Sequence, residues 1–192
     1  MSWGLLLASS VALVAARVEA EPKRWTTVAG KSRVSFDATF SLGDFAGQCE
    51  EVTGEFVADP ADLRQSITGA LRVNASALRT GIDGRDRDMW RALEIGRYPE
   101  IRFTIERVES SFPSVTDRSD VLLTVGGVMQ IRGVERPLVF SARVRLQGER
   151  LWVRGESSLA MTEFGITPPK RLMVQVGDRV GVSFDLLLAG KD

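Results

Sequence analysis

Apolar and polar residues alternate with a period of two over most of this chain, which is the signature of strands with one buried face. Val34, Phe36, Ala38 and Phe40 alternate with Arg33, Ser35, Asp37 and Thr39, and Val52, Gly54, Phe56 and Ala58 with Glu51, Thr53, Glu55 and Val57. The pattern continues through Ile67-Gly69-Leu71-Val73, Ile101-Phe103-Ile105, Val121-Leu123-Val125 and Leu138 to Leu146. It closes with Leu151 to Leu159 and Val180 to Leu188, predicting eight strands. Alternation this regular leaves one face in water, as in antiparallel sheets. Eight such strands leave two raw edges unless the sheet closes, so the expected class is all-β, an eight-stranded antiparallel barrel.

One segment breaks the rhythm. From Asp83 to Gly96 the spacing turns helical, with Met89, Trp90 and Leu93 on one apolar face. Asp83 is positioned to cap this helix, Asp86 and Asp88 suit its positive end, and Gly96 ends it. The Asp83, Asp86 and Asp88 carboxylates alternate with Arg85 and Arg87, which reads as a solvated helix start. The helix is expected to close one barrel end, either as a plug or as a lid whose apolar face also touches a ligand.

Two domain assignments follow. Leu5 to Ala16 is an uncharged apolar run of about 18 Å as a helix, too short for a bilayer of about 30 Å. With Val18 and Ala20 behind it, the run has the form of a signal peptide over residues 1–20, leaving 21–192 as one barrel domain.

Composition removes much chemistry. The 192 residues carry 25 basic and 25 acidic side chains, so no basic excess is available to neutralise phosphates, and a nucleic-acid partner is not expected. The absence of histidine eliminates serine-histidine triads, cysteine-histidine pairs and histidine-ligated metals. Cys49, the single cysteine, has no neighbour that would activate it and no partner for an internal disulfide. No catalytic residue, metal or cofactor is expected, and the chain reads as a non-enzyme.

The inward positions mix large and small side chains. Phe36, Phe40, Phe56, Phe103, Phe140 and Phe184 share the face with Ala38, Ala142, Gly54, Gly69 and Gly155. Such a mixture leaves an elongated slot or matches the taper of a filled barrel, and composition does not choose between them. If the lumen is open, those six phenylalanines, with Leu71, Ile105 and Leu123 on the strands, are candidates to line it. Trp90 and Leu93 on the helix and Phe164 near the last strand are candidates for its lid.

Several strings belong together. Gly127-Val128-Met129-Gln130-Ile131-Arg132-Gly133-Val134-Glu135-Arg136-Pro137-Leu138 resembles the central motif of the YceI-like family. Upstream, Arg85-Asp86 and Tyr98-Pro99-Glu100-Ile101-Arg102-Phe103 are similar to that family's Arg-Asp helix and Tyr-Pro-x-Ile-x-Phe string. Glu163-Phe164-Gly165-Ile166 and Val176-Gly177-Asp178 follow in the family's order. Met129, Gln130 and Glu135 depart from the motif, and Met161 stands where many members carry an arginine. The resemblance implies a lipocalin-like barrel holding a polyisoprenoid or similar long-chain lipid, in a bacterial protein exported to the periplasm or secreted. The alternative is a filled barrel acting as a stress-related structural or protein-interaction module, possible as a homodimer; Trp152 and Arg154, on a strand's outer face, suit such an interface.

Overall fold

The computed structural model describes residues 22–41, 43–117, 120–171 and 174–191. The expected leader and its cleavage position lie outside these residues. Eleven strands and one α-helix follow in the order β1 (Lys23–Thr27), β2 (Arg33–Phe40), β3 (Gly43–Cys49), β4 (Val52–Ala58), β5 (Thr68–Asn74), α1 (Asp83–Leu93), β6 (Glu100–Ser110), β7 (Val121–Ile131), β8 (Val134–Gln147), β9 (Arg150–Ala160), β10 (Lys170–Arg171) and β11 (Val174–Lys191).

Ten of these strands form eight staves, and the two-residue β10 pairs with β11 off that path. β1 and β2 are two halves of one stave, both antiparallel to β11, with Thr27 opposite Leu188 and Arg33 opposite Asp185. β3 and β4 make the adjacent stave, β3 pairing with β2 and β4 with β1. β5 to β9 then follow as an antiparallel meander, and β11 joins β9 back to the first stave, closing the sheet. Closure pairs the two edges that an open eight-stranded sheet would expose. The predicted eight-stranded antiparallel barrel is the observed architecture.

The two ends differ. At one, Leu63 and Val115 are buried beneath a pair of loops tied by Leu63 N–H to the Pro113 carbonyl (2.7 Å) and Val115 N–H to the Pro60 carbonyl (2.8 Å). Trp25 seals the same end, its indole N–H donating to the Ala58 carbonyl at 3.2 Å. At the other end stand α1, a 3₁₀ turn over Met161–Phe164, and the outer ends of β2 and β3.

The helix corrects three expectations. It spans Asp83–Leu93 and stops before Gly96, because Glu94 takes a left-handed conformation (φ 51°). Asp83 is not its cap; Ile82 occupies that position with no side-chain bond. Asp86 is not solvated but buried, accepting from the Thr80 N–H (2.7 Å) and hydroxyl (2.6 Å). The helix start is thus tied to the preceding segment from inside its first turn. Among the described residues no helix is long and apolar enough to cross a membrane.

Candidate functional site

The barrel is open inside. A cavity of about 640 Å³ runs along it, a size typical of small-molecule sites. Phe36, Phe40, Phe56, Phe103, Phe140 and Phe184 all face this space, as do Leu71, Ile105 and Leu123 on the strands and Leu93 and Phe164 at the helix end. Phe36, Phe56, Phe140 and Phe184 point inward yet are only half-buried, since each lines the cavity.

Register explains why the rings do not fill the interior. Phe36 lies opposite Gly47, Phe56 opposite Gly69 and Phe184 opposite Gly155. A Cβ on Gly47 would sit 2.4 Å from the Phe36 ring, one on Gly155 2.4 Å from the Phe184 ring, and one on Gly127 2.8 Å from the Phe103 ring. Each phenylalanine therefore lies flat against the wall over a neighbouring strand's glycine, covering bare backbone that would otherwise face the lumen. Phe103, Phe140 and Phe184 continue as a belt across alternate strands, with centroid separations of 5.1 and 5.3 Å. The small residues are not gaps in the packing; they are the seats that hold the rings out of the way.

The expected role of Trp90 is not where the structure puts it. Its indole N–H donates to the Leu78 carbonyl (3.1 Å), and the Arg79 guanidinium stacks on its ring at 4.4 Å, so it faces the segment before α1 and not the cavity. The helix meets the lumen through Gly84, Arg85, Asp88, Met89, Ala92 and Leu93. Residues one turn apart share a face, which is why Met89 and Leu93 line the space while Trp90, one residue on from Met89, turns away.

Polar groups on the wall are few. Apart from the Trp25 indole, already bonded, the polar lining side chains are Arg85, Asp88 and Ser157 among the described residues. Arg85 is at the helix end, its guanidinium over the Phe45 ring at 4.4 Å and the Phe40 ring at 6.0 Å. Asp88 accepts from Arg91 at 2.7 Å. Met161, in place of an arginine, adds a thioether to the wall. Phe45, Ile82 and Arg85 were not among the sequence-derived lining residues. Phe45 is in a strand whose alternation is diluted by Gly43 and Gly47, leaving one strong apolar signal in seven residues.

The motif residues gather at this helix end. Arg132 (φ 51°) and Gly133 (φ 72°) make the tight turn between β7 and β8. From that turn the Arg132 guanidinium donates to the Glu94 carboxylate (Nε to Oε1, 2.7 Å) and to the Gly165 carbonyl, joining the helix C-terminus, the hairpin and the 3₁₀ turn. Gly133 is packed under Tyr98, where a Cβ would come within 2.7 Å of the ring. Buried Ile131, Phe164 and Ile166 form a small second core beneath them. These residues hold α1 across the barrel end.

Cys49 is buried, and its thiol approaches the Glu51 and Asn74 carbonyls at 3.6 and 3.5 Å. Burial is the main reason its pKa is raised, which makes it a poor nucleophile.

Comparison with known proteins places these features. The model of the YceI-like domain matches residues 25–188. The structure of BcnA from Burkholderia cenocepacia superposes with a TM-score of 0.71 at 15% identity, covering 85% of this chain and 99% of that one. A polyisoprenoid binding domain from Saccharophagus degradans, described as implicated in plant cell wall breakdown, gives 0.69 at 15% identity over 87% and 98%. A Campylobacter jejuni YceI protein gives 0.60 at 15% identity over 76% and 84%. No curated protein matches the chain.

Proposed function

The chain belongs to the YceI-like family, and from that premise we propose that it is a binding protein whose lumen carries a polyisoprenoid or a similar long-chain amphiphilic lipid. The observation that carries the reading is the open cavity of about 640 Å³ with a wall almost wholly of aliphatic and aromatic side chains. Such a wall offers a lipid chain about 0.8 kcal/mol of transfer free energy per buried CH₂ and offers a polar substrate little. One five-carbon prenyl unit gains roughly 3 kcal/mol gross on that scale, before the cost of ordering the chain. The head group belongs at the helix end, beside Arg85 and Asp88, where the charged lining side chains are. Storage or transport follows from holding such a lipid away from water, and no catalytic step is needed.

The same proposal places the mature protein in the periplasm or outside the cell, released from its leader after Ala20. N-terminal sequencing of protein recovered from its host should then begin at Glu21.

Protein purified gently from its native host and examined by native mass spectrometry should carry a long-chain lipid that organic solvent extracts. A lumen that stays empty under saturating prenyl lipid, with the barrel folded, would remove the proposal.

A further inference from the structure

The outer face of the barrel carries a second depression, of about 570 Å³, where β2, β11, β9, β8 and β7 run side by side. Strand register builds it from two rows. In the first, Arg33 is opposite Asp185, Asp185 opposite Arg154, Arg154 opposite Arg143, and Arg143 opposite Leu122. In the second, Ser35 is opposite Ser183, Ser183 opposite Glu156, and Glu156 opposite Ser141. The side of a barrel is ordinarily convex. Here short serine side chains make a floor beside a bank of long arginine stems.

Charge placement in this trough is not what folding alone favours. Arg143 and Arg154 are directly opposite across β8 and β9, and like charges in that relation destabilise a sheet. Among the described residues the side chains of Arg33, Arg143 and Glu156 make no hydrogen bond or ion pair, although their backbones are paired in the sheet. Arg154 is held in place, with Nε 3.1 Å from Asp185 Oδ2 and its guanidinium 5.3 Å from the Trp152 ring, which leaves its terminal nitrogens presented. Asp185 Oδ1 is buried with no partner of its own.

A guanidinium fork matches a carboxylate or phosphate, whereas serine hydroxyls and a free carboxylate match the hydroxyls of a polyol. We propose that this trough binds a sugar bearing an anionic group, the anion between Arg143 and Arg154 and the ring hydroxyls over Ser141, Glu156 and Ser183. The side chains proposed to hold the sugar face outward, on the opposite side of the wall from the lumen, and the two sites meet only at Phe184 among the described residues.

The test is an NMR titration of the full chain with glucose 6-phosphate and glucuronate, beside glucose and inorganic phosphate. The two anionic sugars should move the amide signals of Ser141, Arg143, Arg154 and Glu156 and bind about tenfold or more tightly than either control, one charge-assisted contact's worth. Arg143→Ser should remove about tenfold of that affinity while lipid titration is unchanged, because Arg143 has no partner in the fold to lose. Ser141→Ala should weaken the sugars and leave inorganic phosphate alone. Equal binding of inorganic phosphate and glucose 6-phosphate would reduce the trough to a plain cationic patch and overturn the proposal. Shifts that survive Arg143→Ser, or no saturable binding of either anionic sugar, would overturn it as well.

Discussion

Gly54 has the Phe56 ring across it, and the three atoms nearest an added Cβ would all be side-chain atoms: Phe56 Cε2 at 2.7 Å, Phe56 Cζ at 3.0 Å and Leu71 Cδ1 at 3.1 Å. Gly54→Ala should therefore spare the backbone and push the ring into the lumen. Overpacking of this kind costs about 1–3 kcal/mol. If the lumen carries lipid, affinity should fall with it; denaturant unfolding beside a lipid-displacement titration reads both, and unchanged affinity would mean the ring has room to move aside. Phe140→Ala tests the converse. Because one face of Phe140 already meets empty space, its loss should cost less than the ~3–5 kcal/mol of a sealed phenylalanine and should enlarge the cavity. The large-and-small mixture was readable from the sequence, but not its meaning, since only register shows which ring covers which glycine. Cys49 gives a pH prediction. Burial raises its folded pKa above the ordinary thiol value, so its contribution is intact below that ordinary value and is lost as pH rises through the folded one. Wild type should lose stability in that alkaline window relative to Cys49→Ala, and the folded thiol should resist alkylation at neutral pH; rapid labelling of native protein would contradict both.

At the scale of elements, α1 is held by contacts that sequence spacing does not reveal. The existence of a helix after Asp83 was legible from the Met89 and Leu93 spacing. Its cap was not, because the buried Asp86 works backward onto Thr80, six residues earlier. Nor was its end, because Glu94 adopts a glycine-like conformation under the Arg132 guanidinium, 38 residues away in sequence. β1 and β3 escaped the periodicity for a related reason: five residues with one tryptophan, and seven with two glycines, carry too little alternation to stand out. The contacts separate two roles on one helix. Trp90→Ala removes a hydrogen bond to Leu78 and the Arg79 stack, so it should cost about 1–2 kcal/mol of stability and leave lipid affinity nearly unchanged. Arg132→Gln breaks the tie between helix, hairpin and 3₁₀ turn. It should cost a similar amount and also speed lipid release, because α1 then lifts more often from the barrel end. Displacement kinetics on both variants decide the point: equal release rates would make Arg132 a folding contact and nothing more.

For the whole molecule, eight amphipathic strands left closure as the economical way to pair both edges, and the barrel follows that logic. What alternation could not state is whether the inward faces meet, since it records side but not distance. The answer depends on the glycine seats and on the two ends, one sealed over Leu63 and Val115 and the other covered by α1. An open apolar lumen has a thermodynamic consequence of its own. The half-buried phenylalanines face a cavity wide enough to leave gaps between opposite walls, and a lipid chain in it would supply them with partner atoms. Ligand that binds only the folded barrel stabilises it by mass action, about 2.7 kcal/mol at a hundred times Kd. In a domain of this size each kcal/mol moves the Tm by about 2–4 °C, so loaded protein should melt roughly 5–10 °C above solvent-extracted protein. Adding prenyl lipid back should restore the shift, and Gly54→Ala should shrink it in proportion to the affinity lost. Identical melting of extracted and reloaded protein would mean that the chain is not taken up in the lumen.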